Sequence, residues 1–262
     1  MIASAIKEAD QDIPWKQEHL VNVCPQCFKF SDEDEDGTIW ILIDGNMQHA
    51  RLQRDTRWDF ELFEPKLFID YGRNKLDLAM AGNEQVNTNI PAKACVYKFN
   101  ASDGWNRPEI ISPTMKALDQ TGVVGITCFH GVNLRFLHIH GGGEKQSHSI
   151  RLIEAVLHEV THFAKLKLWY DVACVFESAL KAYNQGWMEV VEALISWFRI
   201  YDHEYRCHVL YNLLHTANYG LMVGEDPVHL WYMIQQLICS GRTASSSPPT
   251  QKIVCFGRYC PI

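Results

Sequence analysis

No stretch of 18 or more residues is free of charged and polar groups, so the chain holds no segment suited to cross a bilayer as a helix. The opening segment, residues 1–16, lacks the apolar core of a secretory signal. No internal repeat is present, and no Lys/Arg run. Lys plus Arg total 24 against 31 Asp plus Glu, a net charge of −7. Nucleic-acid-binding domains draw much of their affinity from neutralising phosphates with a basic surface. A nucleic-acid role here must therefore rest on a local site, a bound metal or a domain outside this chain. The acidic run Asp32–Asp36 lacks EF-hand spacing and reads as a solvated loop.

What is present is ordinary globular material. Hydrophobic residues make up 47% and charged residues 21%, which excludes disorder as the main state. A length of 262 residues allows one large domain or two small ones. Nine cysteines scattered over such a length read as reduced thiols of an intracellular protein, not as a disulfide framework.

Residues 1–37 form a polar lead-in with one CxxC pair. Thr38–Asp44 is a short apolar run closed by Asp44-Gly45-Asn46, the pattern of a buried strand and a turn. Residues 45–121 are mixed and weakly periodic, an insertion. Gly122–Cys128 and Asn133–Ile139 read as two strands of a hairpin. From Ser147 to Lys165, Ile150, Ile153, Val156, Leu157 and Val160 mark one helix face. A buried strand follows from Leu166, with Asp171 at its end. Residues 174–214 read as helical, giving a helical insertion near 175–215. Pro227–Ile238 is a last helix with Pro near its first turn. The core spans 38–243, and the Ser/Pro-rich tail 244–262 reads as disordered. Strand, insertion, hairpin, helix, strand and helices are the order of an α/β ribonuclease H-like mixed sheet with flanking helices, one of several α/β arrangements that periodicity alone allows.

In such a sheet the strands ending at Asp44 and Asp171 lie side by side, and Glu225 opens the last helix. Three carboxylates can hold two Mg²⁺ or Mn²⁺ ions for in-line phosphoryl transfer. Asp44 is otherwise a turn residue, Asp171 a strand-end cap and Glu225 a helix-start residue. Cys24-Pro25-Gln26-Cys27 can supply half of a zinc site, completed by Cys128 and His130 or by His203 and Cys207. Cys95, Cys174 and Cys239 read as core thiols, whereas Cys255 and Cys260 in the tail carry no inference. His158-Glu159-Val160-Thr161-His162 is an HExxH motif that could bind Zn²⁺ for peptide hydrolysis, with Glu159 as base. It lacks the extended third His, since Lys165 and Leu168 follow. Glu144 sits in a Gly-rich stretch without P-loop spacing. Trp169, Trp187, Trp197 and Trp231 read as core packing.

Several blocks together resemble one family. CPQCF (24–28), ILIDGNMQHARL (41–52), DQTGVVGITCFHG (119–131) and GEKQSHSIRLIEAVL (143–157) are followed by LWYDVAC (168–174), YDHEYRCHVLYN (201–212) and GEDPVHLW (224–231). In order and spacing, over about residues 20–243, the chain resembles fungal transposases of the Kyakuja-Dileera-Zisupton class. The resemblance implies a DDE-type ribonuclease H-like core that cuts and joins DNA with two metal ions. It implies Asp44, Asp171 and Glu225 as the acidic ligands, and a nuclear location. It also implies that DNA binding needs a domain this chain does not include, and it strengthens a zinc role for the CxxC pair. Departures are visible. Val223 and Val228 stand where the family's last block carries an Asp and a second Glu. Arg199 stands where the HxYGH block begins with His. Gly131 stands where the CRHD block ends in Asp. These losses imply a degenerate or inactive copy, or a non-catalytic remnant that acts as a binding module.

Overall fold

The computed structural model describes residues 24–28, 37–52, 68–69, 95, 118–140, 144–159, 165–216, 219 and 223–237. The acidic run 32–36, His162, Cys239, Cys255, Cys260 and the tail 244–262 lie outside these residues. Strands in chain order are β1 (Thr38–Asn46), β2 (Arg51–Leu52), β3 (Phe68–Ile69), β4 (Leu118–Gln120), β5 (Gly122–Cys128), β6 (Asn133–Ile139), β7 (Lys165–Tyr170) and β8 (Val191–Leu194). Helices are α1 (Pro25–Phe28), α2 (Gln146–Glu159), α3 (Ala173–Tyr183), α4 (Tyr205–Leu210) and α5 (Asp226–Ile234). Single 3₁₀ turns lie at Gln185–Glu189, Arg199–Asp202, Leu213–His215 and Gln235–Leu237.

Among the described residues the main sheet has six strands in the order β3-β6-β5-β1-β7-β8. β5 runs antiparallel to both neighbours, whereas β1, β7 and β8 run parallel. β2 and β4 pair separately. The whole of β5 is buried, and so is β6 apart from half-buried His138. That explains the near-continuous apolar run of β5.

Side chains alternate across β1. Ile39, Ile41 and Ile43 join the main core with Leu168 and Tyr170 of β7 and with Ile150, Ile153 and Val156 of α2. Each such side chain contributes about 1.5–3 kcal/mol by leaving water. The other face carries Leu42, with Trp169, Leu194, Leu213 and Tyr219, and Trp40 stacked on Trp169. Asp44 continues this second face. Ile43 pairs with Tyr170, so Asp171, directly after β7, follows beside Asp44.

Two expectations need correction. Residues 174–214 are not helical throughout, because Val191–Leu194 forms β8 at the sheet edge, parallel to β7. Its Glu-Ala-Leu composition favours helix, and only pairing with β7 makes it a strand. The helix placed at 147–165 has its described end at Glu159, and Lys165 already pairs with Thr38. No helix among the described residues is long and apolar enough to cross a membrane.

Candidate functional site: a carboxylate pocket and two cysteine–histidine clusters

Parallel pairing of β1 with β7 brings Asp44 and Asp171 to one end of the sheet. α5 packs against β1 and β5, and Glu225 stands immediately before it. Asp44, Asp171 and Glu225 line one pocket together with Ser196 and Val228. Trp231 Nε1 of α5 donates to Asp44 Oδ2 at 2.9 Å, and the Gly45 N–H lies 2.9 Å from Asp44 Oδ1. Ser196 Oγ donates to Glu225 Oε1 at 2.6 Å. Arg199 Nε stands 3.5 Å from Asp171 Oδ2 and 3.9 Å from Glu225 Oε2.

A fourth carboxylate arrives from the opposite face. Glu144, just before α2, accepts from the Tyr170 hydroxyl at 2.6 Å. Its approach requires a bare backbone at Gly45, where an added Cβ would lie 1.9 Å from Glu144 Oε2. Burial, and then the Asp171 charge, push Asp44 up to about 7, against the opposing pull of Arg199 and two hydrogen bonds. Burial pushes Glu144 up to about 8; the Tyr170 hydrogen bond opposes it, and the Asp44 and Asp171 charges add to it. Burial also raises Glu225, against Ser196 and Arg199. Crowding and a shortage of positive charge thus favour the protonated forms of these carboxyl groups. Their hard oxygens suit Mg²⁺ or Mn²⁺ in donor type.

The thiols gather elsewhere. Cys24, Cys27, Cys128 and His130 form one set whose ligand atoms all lie within 4.8 Å of one another. The Cys27 and Phe28 N–H groups fold back onto the Cys24 carbonyl, at 3.1 and 3.2 Å, turning both thiols to one side. Cys128 ends β5. Gly131, at φ 72°, makes the tight turn that follows His130. His130 Nδ1 lies 3.0 Å from Cys27 Sγ and 3.6 Å from Cys24 Sγ. A hydrogen bond from Cys27 holds the Cys128 thiol down at about 6, whereas Cys27 is pushed well up by that bond and by burial. One thiolate is thus favoured among three thiols, and a bound Zn²⁺ would favour all three.

His203 and Cys207 do not complete the CxxC pair. They meet Cys95 and Cys174 in a second set, also within 4.8 Å. Reading Cys95 and Cys174 as plain core thiols missed this, since ligands 112 residues apart leave no local spacing. These two are the sets of that closeness among the described residues; the carboxylates line their pocket more loosely.

Glu159 of the HExxH motif is buried and ion-paired with the equally buried Arg135 of β6. His158 Nε2 lies 3.9 Å from Glu154. Glu159 is therefore engaged in joining α2 to the sheet, and the motif's second histidine, His162, lies outside the described residues. The sequence reading also missed Glu144 and Ser196. For Glu144, a carboxylate between a hairpin and a buried helix start was the available signal.

A family model described as Kyakuja-Dileera-Zisupton transposase matches residues 38–257. No curated protein and no solved structure matches the chain.

Proposed function

Since the chain belongs to the Kyakuja-Dileera-Zisupton transposase family, we propose that its sheet is a ribonuclease H-like core whose carboxylate pocket serves DDE-type DNA strand cleavage and transfer, in eroded form. One observation carries this reading: Asp44, Asp171 and Glu225 come from three separate elements and line one pocket. Strand order supports it too, with β1 central, an antiparallel hairpin on one side and two parallel strands on the other. Asp44, Asp171 and Glu225 would hold Mg²⁺ or Mn²⁺, and Glu144 adds a fourth oxygen donor. Bound divalent metal supplies Lewis-acid stabilisation of the phosphodiester charge during in-line attack. Trp231 and Ser196 orient the carboxylates. Attack by water or a DNA 3′-hydroxyl on phosphorus forms one P–O bond and breaks another, and the attacking oxygen loses its proton.

Erosion is read at Val228. It lines the same pocket, where the family's second Glu is expected. An apolar side chain there supplies no oxygen ligand. Arg199 favours a second reading, a remnant that binds without cutting, because its guanidinium already faces Asp171 and Glu225. Cys24, Cys27, Cys128 and His130 form a closed Cys₃His set, fitted to structural zinc that pins α1 to the β5–β6 turn.

Calorimetric titration of metal-free protein with Mn²⁺ tests the pocket. Binding by the wild type should vanish in Asp44→Asn and strengthen about tenfold in Val228→Glu, as an added ligand implies. Mg²⁺-dependent nicking of DNA, where present, should follow the same order. Equal Mn²⁺ binding by wild type and Asp44→Asn overturns the site. No binding by the wild type, with binding gained in Val228→Glu, selects the remnant.

A further inference from the structure

Cys174 lies in the first turn of α3, three residues past Asp171. His203 directly follows the 3₁₀ turn that begins with Arg199, and its N–H donates to the Ile200 carbonyl at 3.0 Å. Cys207 lies on α4, four residues on, and the ligand atoms of the four residues all lie within 4.8 Å of one another. Cys95 comes from the long segment between β3 and β4. Cys95, His203 and Cys207 are buried, and Cys174 is half-buried. Around them are Ala173, Ile195 and Ile200, an apolar shell.

Two of the ligand–ligand distances match the edges of a metal tetrahedron. His203 Nδ1 lies 3.6 Å from Cys95 Sγ and 3.5 Å from Cys174 Sγ. With Zn–S at about 2.3 Å and Zn–N at about 2.0–2.1 Å, a tetrahedral zinc site has S···N edges of about 3.5 Å. Soft thiolates select zinc over Mg²⁺ or Ca²⁺. Four protein ligands leave no open position, so the site is structural and not catalytic.

We propose that Cys95, Cys174, His203 and Cys207 hold a structural zinc ion, separate from the Cys24, Cys27, Cys128 and His130 site, that fastens the 199–207 segment and Cys95 to the start of α3. Such a clasp would close a loop of 112 residues between Cys95 and Cys207. It also steadies Arg199 against Asp171 from behind. The zinc clasp does not depend on the carboxylate pocket binding metal.

The test is zinc content of the full chain, measured by elemental analysis after purification from zinc-replete medium. The wild type should carry about two zinc ions, and Cys95→Ser, Cys207→Ser and Cys27→Ser about one each, because each variant breaks one closed site. Cys27→Ser with Cys207→Ser should carry none. If a variant fails to fold, titration of the unaltered chain decides. A thiol-binding mercurial should release two zinc ions per chain, in about equal steps, and Co²⁺ should saturate its thiolate charge-transfer band at about two equivalents. Release at one equivalent overturns the proposal where Cys27→Ser abolishes it and Cys207→Ser leaves it intact. So does full zinc retention in Cys95→Ser and Cys207→Ser, or a disulfide among the four positions in the purified chain.

Discussion

Glu144 is the residue whose position depends most on another residue's lack of a side chain. A Cβ added at position 45 would lie 1.9 Å from Glu144 Oε2, so the Cβ and the carboxylate cannot both be accommodated. Gly45→Ala should therefore displace Glu144 and act like its removal. Glu144→Gln, which keeps the shape and removes the charge, should weaken Mn²⁺ binding about tenfold if Glu144 supports the pocket's ions. Gly45→Ala should weaken it similarly, and the double variant should lose little more, because both changes remove the same interaction. Calorimetry on the three variants checks this. Additive losses would mean that Gly45 acts through the backbone alone. Asp44 needed no such context to be found, since a strand running into Asp-Gly-Asn is visible from local pattern. Glu144 was passed over because its partners, Tyr170 and Gly45, lie 26 and 99 residues away.

At the scale of elements, α2 is joined to the sheet by one buried ion pair, Arg135 of β6 with Glu159. Burial pushes the Arg135 guanidinium down and the Glu159 carboxyl up, against their mutual attraction. Breaking such a pair leaves one charge stranded, whereas replacing both groups with apolar ones removes the desolvation cost as well. Glu159→Gln should cost about 3–5 kcal/mol in urea unfolding, and Arg135→Met with Glu159→Leu should recover most of it. A loss below about 1 kcal/mol would place the pair in the surface class instead. The HExxH pattern was legible in the sequence, but its meaning was not. Spacing puts His158 and His162 on one helix face, yet cannot say that Glu159 turns to β6. The same limit explains β8. The apolar, β-branched run Thr38–Asp44 and the hairpin of β5 and β6 exposed those strands directly. Val191–Leu194 is four residues of mixed preference, and the exposed edge of β7 decides its state.

Over the whole molecule, charge sets the terms on which this chain can meet DNA. It carries a net charge of −7. Among the described residues, Arg199 is the guanidinium set against Asp44, Asp171 and Glu225, and Glu144 adds a further carboxylate near Asp44 and Asp171. A phosphate approaching that sheet end meets repulsion unless cations intervene. On the proposed function, the polyelectrolyte attraction that usually supplies nucleic-acid affinity would come from ions held in the pocket and not from lysines and arginines. DNA affinity of the wild type should be weak in chelator and rise at least about tenfold with Mn²⁺, a gain that a Na⁺ control of equal ionic strength does not reproduce. Asp44→Asn should show no such gain, while Cys207→Ser, if folded, should keep it. Fluorescence anisotropy with a short labelled duplex reads all three. Equal affinity in chelator and in Mn²⁺ would mean that the carboxylate pocket takes no part in binding DNA, and would leave contact to another face of the chain.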